Sequence, residues 1–403
     1  MRHEENEMLT RVGRGTPAGE LLRRYWHPVS IAGELTEQKP TKRVTLLGEK
    51  LVVFRMPLRE GETQPRYGLV AEQCRHRLAS LYYGKVERDG IRCPYHGWKY
   101  DLGGNCLETP PEPPEWAYKK EIRQPAYPVQ KLAGLLWAYL GPEPAPELPR
   151  WDVLAREDGK RWVTIESVID CNWLQPMENS VDPSHLYWLH GYTYGSGHLV
   201  DPQQRERAEA QYREQHEFIA FEYGIMKRRI TPGKNAGEPD RIDEHPLVFP
   251  TALRHVSNEV RGKREPVYRH NLQIRVPIDD THTQVYRVNF VPNSTDRSPP
   301  DIDPPYEYRP LKDENGEYCW DVVSAQDSMA WETQGPITDR TQEHLGFADR
   351  GIVMFRKLLR QQIEIVQKGG DPLGVIRDPE KAKYVELPVI NERIGLFRPQ
   401  AAE

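Results

Sequence analysis

The chain has 403 residues with 55 Lys+Arg against 60 Asp+Glu, a formal charge of −5, and no block of like charge dominates, which disfavours a nucleic-acid role. Its longest clean apolar stretch, Ala133 to Leu140, falls far short of the ~20 residues that span a bilayer, so no membrane-spanning role is expected. The length is ample for two or three domains, and 36 prolines, against an average usage of about 5%, predict long punctuated connections.

The polar start Met1-Arg2-His3-Glu4-Glu5 has no apolar leader, so no export is expected and a cytoplasmic, reducing location follows. Thr16 and Pro17 read as the N-cap and first position of a helix over Ala18 to Trp26, with Leu21, Leu22 and Tyr25 on one face. From Val44 the pattern changes to short β-like runs, Val44–Leu47, Leu51–Phe54 and Tyr67–Val70, and further segments continue to Gly134–Leu140. Residues 28–148 thus read as an all-β domain carrying Cys74 and Cys93, closed by a proline-rich linker from Pro142 to Pro149. The rest, 1–27 and 149–403, is mixed. A helix is expected from Asn172 to His190, then β-like segments at His270–Val276 and Thr283–Phe290. Between Asp349 and Lys368 the residues Ile352, Phe355, Leu359, Ile363 and Val366 recur at helical spacing before Gly369-Gly370. Segments 201–215 and 292–313 read as surface excursions. The expected class is α+β: an all-β domain plus a domain of antiparallel sheet flanked by helices.

Five cysteines, Cys74, Cys93, Cys106, Cys171 and Cys319, are too few and scattered for a disulfide framework, and metal ligation is their better use. Cys74-Arg75-His76, sixteen residues, then Cys93-Pro94-Tyr95-His96 bring two thiols and two imidazoles together at two turns. A tetrahedral zinc site could use the same four. Mixed Cys and His within each loop also suits a [2Fe–2S] cluster in which one iron takes both sulfurs and the other both imidazoles. On these loops, with Gly97-Trp98 following, the chain resembles the Rieske proteins. Respiratory members carry a further cysteine pair at positions that are Ala79 and Tyr95 here, so the resemblance points to the oxygenase and ferredoxin branch. Trp98 and Tyr100 read as packing behind the cluster loop rather than as an electron path.

Asp182 and His185 are three apart, so on a helix the carboxylate could accept the outer imidazole N–H. His185 and His190 are five apart, which separates them by roughly 140° on a regular helix. A shared metal therefore requires the helix to end or distort before His190, and Gly191 fits such an exit. A buried helix with two hydrogen-bonded histidines is the alternative. The stretch with Asn172-Trp173, Glu178-Asn179 and Asp182, His185 and His190 resembles the mononuclear-iron segment of Rieske non-heme iron oxygenases. That resemblance implies His185 and His190 as iron ligands and Asp182 as a bridging carboxylate. It also points to Asp327 as the third ligand, which spacing alone does not select over Glu332 or Asp321. Two imidazoles and one carboxylate on one face leave positions for oxygen and substrate.

The resemblance runs from Met8 to Gly346 and is nearest the phthalate dioxygenase-like oxygenases. It implies a Rieske [2Fe–2S] cluster and mononuclear Fe(II) as cofactors, O2 as co-substrate, and a head-to-tail homotrimer in which Asp182 lies between His185 and His96 of the partner subunit. It also implies electrons from an NAD(P)H-dependent reductase or ferredoxin, because Gly13-Arg14-Gly15 and Gly103-Gly104 lack the context of a nucleotide fingerprint. Segments Pro40–Glu49, Leu135–Pro146 and Glu178–His185 resemble the branch of 5,5'-dehydrodivanillate O-demethylase oxygenase components. This implies oxidation of an aryl methoxy group on a carboxylated aromatic of the lignin-derived kind. Ring hydroxylation or cis-dihydroxylation of a phthalate-like acid is the alternative. Pocket candidates are Tyr192 and Tyr194, and Arg254, His255, Arg275 and Arg287, where an inward arginine could clamp a carboxylate and an outward one would face solvent. An electron-transfer module would need only the N-terminal half, and a zinc-binding structural protein would be colourless.

Overall fold

The computed structural model describes residues 1–113, 115–193, 214–233, 237–258, 267–392 and 396. Helix α1 (His3–Thr10) leads into α2 (Pro17–Leu22), where the Thr16 side chain accepts from the Gly19 N–H and Pro17 fills a position that needs no donor. Helix α2 ends four residues before the expected Trp26, because Trp26 already opens a buried strand. That strand is β1 (Trp26–Ile31), followed by β2 (Thr41–Leu46), β3 (Glu49–Arg55), β4 (Tyr67–Ala71), β5 (Lys85–Glu87), β6 (Gly90–Arg92) and β7 (Lys99–Tyr100). Next come β8 (Cys106–Glu108), β9 (Ala126–Tyr127), β10 (Val129–Leu132) and β11 (Leu135–Tyr139). They make three small sheets, β1-β11-β10, β2-β3-β4-β9 and β5-β6-β7-β8. Val52, Phe54, Val70, Ile91 and Tyr100 fill the core between the last two, which fixes the loops after β4 and β6 relative to each other.

The segment Pro142 to Pro149 is packed rather than free: Pro146 and Leu148 are buried, and Trp26 Nε1 donates to the Pro146 carbonyl at 3.0 Å. Beyond it lie α3 (Asp152–Ala155), β12 (Gly159–Glu166), α4 (Leu174–Ser180) and a π-helix (Leu186–Thr193). Strands β13 (Gln215–Phe221), β14 (Gly224–Thr231), β15 (Arg241–Val248), β16 (Ala252–Asn258), β17 (Tyr268–Pro277), β18 (Thr283–Pro292) and β19 (Tyr306–Arg309) follow. Helices α5 (Val323–Glu332), α6 (Arg350–Gln367) and α7 (Pro379–Ala382) and strand β20 (Ile390–Asn391) complete the order. The large sheet runs β13-β14-β15-β16-β17-β18-β12-β19 with β20 on β15, antiparallel except where β19 lies parallel to β12. The molecule is α+β, as expected. Helix α6 buries Phe355, Leu359, Ile363 and Val366, the face its periodicity predicts.

Register gives this sheet two unlike faces. Lys227 pairs with His245, His255 with Asn271, and Gln273 with Arg287, which places these polar side chains on one face. Leu272, Ile274 and Val288 lie on the other, inside the main apolar core. Two expectations are corrected. The helix from Asn172 to His190 is broken after Ser180: Pro183 has no N–H to donate, and the Ser184 N–H turns back to Asp182 Oδ1 at 2.7 Å. Within 292–313, Tyr306–Arg309 is an edge strand held by the ladder to β12 rather than an excursion. Residues 201–213 lie outside the described residues. Among the described residues no helix is long and apolar enough to cross a membrane.

Candidate metal centres

The loops after β4 and β6 share one design. The Leu78 N–H closes onto the Cys74 carbonyl at 2.9 Å, and the Gly97 N–H onto the Cys93 carbonyl at 3.1 Å. Both closing residues have left-handed backbones, φ 61° at Leu78 and 72° at Gly97, a conformation free of strain only for the glycine. Each turn buries its cysteine and leaves its histidine half-buried at the tip: Cys74 and Cys93 go inward, His76 and His96 toward the surface. The imidazoles lie 4.6 Å apart between centroids, and Trp98 stacks on His76 at 4.3 Å with a 5° interplanar angle, the packing role expected of it. Tyr100 is fully buried with its hydroxyl 3.3 Å from Cys74 Sγ, a donor to sulfur besides a packing group.

These four residues fit a cluster on three observations. Hydrogen bonding from Cys93, then from Tyr100, draws the Cys74 thiol down to about 6, while Cys93 is pushed up. His96 Nδ1 is buried with no hydrogen-bond partner although the ring is half exposed, so a ligating atom faces inward. No cysteine is bonded to another. A thiolate pair behind an imidazole pair suits the mixed-ligand [2Fe–2S] arrangement.

The second centre is built on α4, the break after it, and α5. Helix α4 is fixed at its base by Asn172, which donates to the carbonyls of Thr10 (2.8 Å) and Asp280 (2.7 Å). Its Glu178 is held by Arg340 and Arg356 at 2.7 and 2.6 Å. The chain then leaves the α-helical ladder and resumes with π-helical turns, whose i to i+5 closure returns residues five apart to one face. That resolves the spacing of His185 and His190. His190 Nε2 lies 3.2 Å and His185 Nε2 3.8 Å from Asp327 Oδ1, and the three ligand atoms fall within 4.8 Å of one another. The outer nitrogens differ: His190 Nδ1 hydrogen-bonds with Gln326 Oε1 at 2.8 Å, whereas His185 Nδ1 lies 3.4 Å from Asp182 Oδ2 without making a hydrogen bond. Asp327 Oδ1 is buried with no hydrogen bond, an orphaned acceptor that a cation would satisfy. Burial disfavours a charged His190, but the Asp327 carboxylate outweighs it and holds the ring above its ordinary value.

The carboxylates that spacing left open separate here. Glu332 is committed to Lys312 (2.6 Å), Tyr318 (2.5 Å) and the Asp170 N–H (3.0 Å). Asp321 is exposed and lies outside the triad. Gln326 escaped notice in the sequence, though its place beside Asp327 on α5 was the available signal.

The triad opens on a cavity of about 530 Å³ walled by the polar sheet face. His255, Arg275 and Arg287 line it, as does Lys227, which sequence reading passed over. Arg254 does not: it points to the opposite face and pairs with Asp152 at 2.8 Å. Tyr194 lies outside the described residues, and so does the side chain of Tyr192. Lys227 Nζ donates to the Ser180 carbonyl at 3.1 Å, and burial, then Arg229, pushes it down to about 7. Arg275 donates to the carbonyl and Oε1 of Gln273 at 3.3 and 3.1 Å, and burial, then Arg287, brings it to about 10. Neither has an ion-pair partner among the described residues, whereas Arg287 has Glu166 at 2.7 Å and Arg229 has Asp243.

Comparison with known proteins agrees with this geometry. A Rieske [2Fe–2S] domain model matches residues 25–129, and a LigXa C-terminal domain like model matches 309–387. The 5,5'-dehydrodivanillate O-demethylase oxygenase subunit of Sphingobium sp. is 39% identical over 401 residues, covering 96% of this chain and 86% of the relative. The phthalate 4,5-dioxygenase oxygenase subunit of Pseudomonas putida is 31% identical over 410 residues, covering 92% and 88%. The NdmA QL mutant of Pseudomonas putida with theobromine shares the fold, with a TM-score of 0.63 at 22% identity over 91% of this chain and 96% of that one.

Proposed function

The chain belongs to the Rieske non-heme iron oxygenases, as an oxygenase component, and from that premise we propose that it O-demethylates a carboxylated, methoxylated aromatic compound. In this reading Cys74, His76, Cys93 and His96 hold the [2Fe–2S] cluster and His185, His190 and Asp327 the iron, with residues 28–148 as the cluster domain and 1–27 with 149–403 as the catalytic domain. When bound, the iron supplies O2 activation and the cluster single electrons. Asp182 relays between His185 and His96 of the partner subunit in a cyclic homotrimer, which closes because each contact is head to tail. Electrons come from a separate NAD(P)H-dependent reductase or a ferredoxin.

The observation that carries the substrate class is the buried Arg275 guanidinium, with the buried Lys227 amine on the same wall, facing the cavity with no ion-pair carboxylate among the described residues. A buried charge without a partner is costly, and an anionic ligand relieves that cost. A carboxylate held there fixes the ring, and the sheet face then decides which substituent lies beside the triad. Gln326 fixes the His190 imidazole, so that its metal-facing nitrogen is set before any ligand arrives, and Asp182 stands beside His185 Nδ1 at 3.4 Å. Hydroxylation of the methyl carbon gives a hemiacetal that collapses to a phenol and formaldehyde. The second oxygen atom of O2 leaves as water after two electrons and two protons are taken up. The relative that O-demethylates and the phthalate dioxygenase relative define the two outcomes to separate. Incubation with a matched reductase and a panel of methoxylated and unmethoxylated aromatic acids is expected to yield one formaldehyde per methoxyl lost. Turnover of phthalate-like acids with no formaldehyde from any methoxylated acid would overturn the reading in favour of ring oxidation.

A further inference from the structure

On the reading that the cavity takes an aromatic acid, we propose that His255 is a specificity-determining residue that accepts a hydrogen bond from a hydroxyl group on the substrate ring, so that the preferred substrates are hydroxylated as well as carboxylated.

The sheet face of the cavity is rich in donors and poor in acceptors, while the acceptors Asn179 and Asp321 line the cavity from elsewhere than the sheet. Arg229, Arg275 and Arg287 can only donate, and Lys227 donates to the Ser180 carbonyl. The neutral acceptors on the sheet face are mostly spent. Asn271 Oδ1 accepts from Gln273 Nε2 at 3.0 Å, and Gln273 Oε1 accepts from Arg275 at 3.1 Å. His245 Nε2 and Ser257 Oγ are sealed from the cavity space. The Asp243 and Glu166 carboxylates are held by Arg229 and Arg287. His255 stands apart. Its ring lines the cavity and is half-buried, stacked on His245 at 4.4 Å, yet neither of its nitrogens bonds to a described residue or is sealed away.

Its protonation state suits the task. Burial, with Lys227, Arg287, Arg229 and Arg254 around it, pushes His255 down to about 3, so the imidazole stays neutral and one nitrogen keeps its lone pair. A protonated ring would offer only donors, duplicating the cations. An acidic substrate group has cations to meet, but a ring hydroxyl has a proton to place, and on the sheet face His255 is the open acceptor among the described residues. Burying that hydroxyl with no acceptor would cost about ten-fold or more in affinity, and a site built to bond a hydroxyl discriminates by that margin.

The test is binding, measured calorimetrically without O2 on the metal-loaded full-length protein, so it stands apart from whether formaldehyde is formed. The probes are 4-hydroxy-3-methoxybenzoate and 3-methoxybenzoate, which differ by the one hydroxyl. The wild type is expected to bind the hydroxylated acid about ten-fold tighter or more. His255→Leu should erase that preference while leaving the affinity for 3-methoxybenzoate within about two-fold, and His255→Gln, which keeps an acceptor, should retain part of it. Cluster absorbance and melting temperature, checked on both variants, show that they fold. A preference of undiminished size in folded His255→Leu overturns the proposal. Wild type that binds both acids equally overturns it too while leaving the acid-cavity reading intact, and wild type that binds neither overturns both.

Discussion

Arg275 reaches the cavity as a buried cation held only by the carbonyl and amide oxygen of Gln273, with the buried Lys227 amine on the Ser180 carbonyl, while their neighbours Arg229 and Arg287 carry Asp243 and Glu166. An unbalanced buried charge destabilises the unliganded protein, and an anion that binds there returns the difference as affinity. Arg275→Met is therefore expected to weaken binding of an aromatic acid about ten-fold or more while leaving the melting temperature unchanged or raised. Ligand titration and thermal melting on one preparation check both halves; a lower melting temperature with unaltered affinity would make Arg275 a structural residue. Little of this is legible in the sequence. Arg254 and Arg275 occur in similar β-like runs, yet Arg254 turns to Asp152 and Arg275 to the cavity. Both faces of this sheet are buried, so alternation within one strand does not reveal which parity meets the iron, and only pairing of β16 with β17 and β17 with β18 settles it. The candidate ligands are legible because short spacing carries them: Cys74 to His76 and Cys93 to His96 each lie within one turn of chain, as does Asp182 with the candidate ligand His185.

One element converts that spacing into geometry. Helix α4 is pinned by Glu178, which receives Arg340 Nε at 2.9 Å and Arg356 Nε at 2.6 Å, and Arg356 also reaches Glu343 at 2.7 Å. Burial alone would raise the Glu178 carboxyl, but the two guanidinium groups overcome it and hold it below its ordinary 4.5. Glu178→Gln, which leaves two arginines buried against a neutral amide, is expected to cost about 3 kcal/mol at pH 7. Because the folded carboxyl titrates below the unfolded one, its contribution is complete above about 4.5 and is lost only as pH falls through the lower folded value. Denaturant titrations should therefore show a gap between wild type and Glu178→Gln that persists down to about that pH and closes in stronger acid; a gap independent of pH would mean that the loss is one of packing. The need for a distortion between His185 and His190 is legible from their separation of five. The form of it, a break at Asp182-Pro183 followed by π-helical closure, is not, since periodicity does not state which carbonyl each N–H selects. By contrast the start of α2 and both ends of α6 are legible, because a Thr-Pro cap and a five-residue apolar stripe are local signals, while the end of α2 is set by the strand that begins at Trp26.

At the scale of the whole molecule, exposed apolar side chains stand both beside the cluster loops and near His185 and His190 in sequence. Leu78 and Tyr95 flank His76 and His96 at 59% and 56% exposure. Trp188 and Phe347, the latter 78% exposed, line a groove with Ser184 and His216, and of these Ser184 and Trp188 adjoin His185 and His190 in sequence. Exposed apolar groups of this size around functional side chains mark interaction surfaces, and unlike patches on one chain join head to tail. If the cluster of one subunit serves the iron of the next, two defects on different chains can complement each other. His96→Ala disables the donor side and His185→Ala the acceptor side, so each variant alone is expected to be inactive. In rings assembled from equal amounts of both, a productive junction needs a His185→Ala chain to give electrons and a His96→Ala chain to receive them. With random assembly that arises at about a quarter of junctions, so co-expressed variants should recover about a quarter of wild-type turnover per chain. Electron transfer confined to one chain predicts no recovery at any ratio, because no chain then carries both intact centres. Mixing the two purified proteins under conditions without subunit exchange provides the matching blank, and recovery there as large as in co-expressed rings would assign the transfer to chance encounters rather than to a built interface.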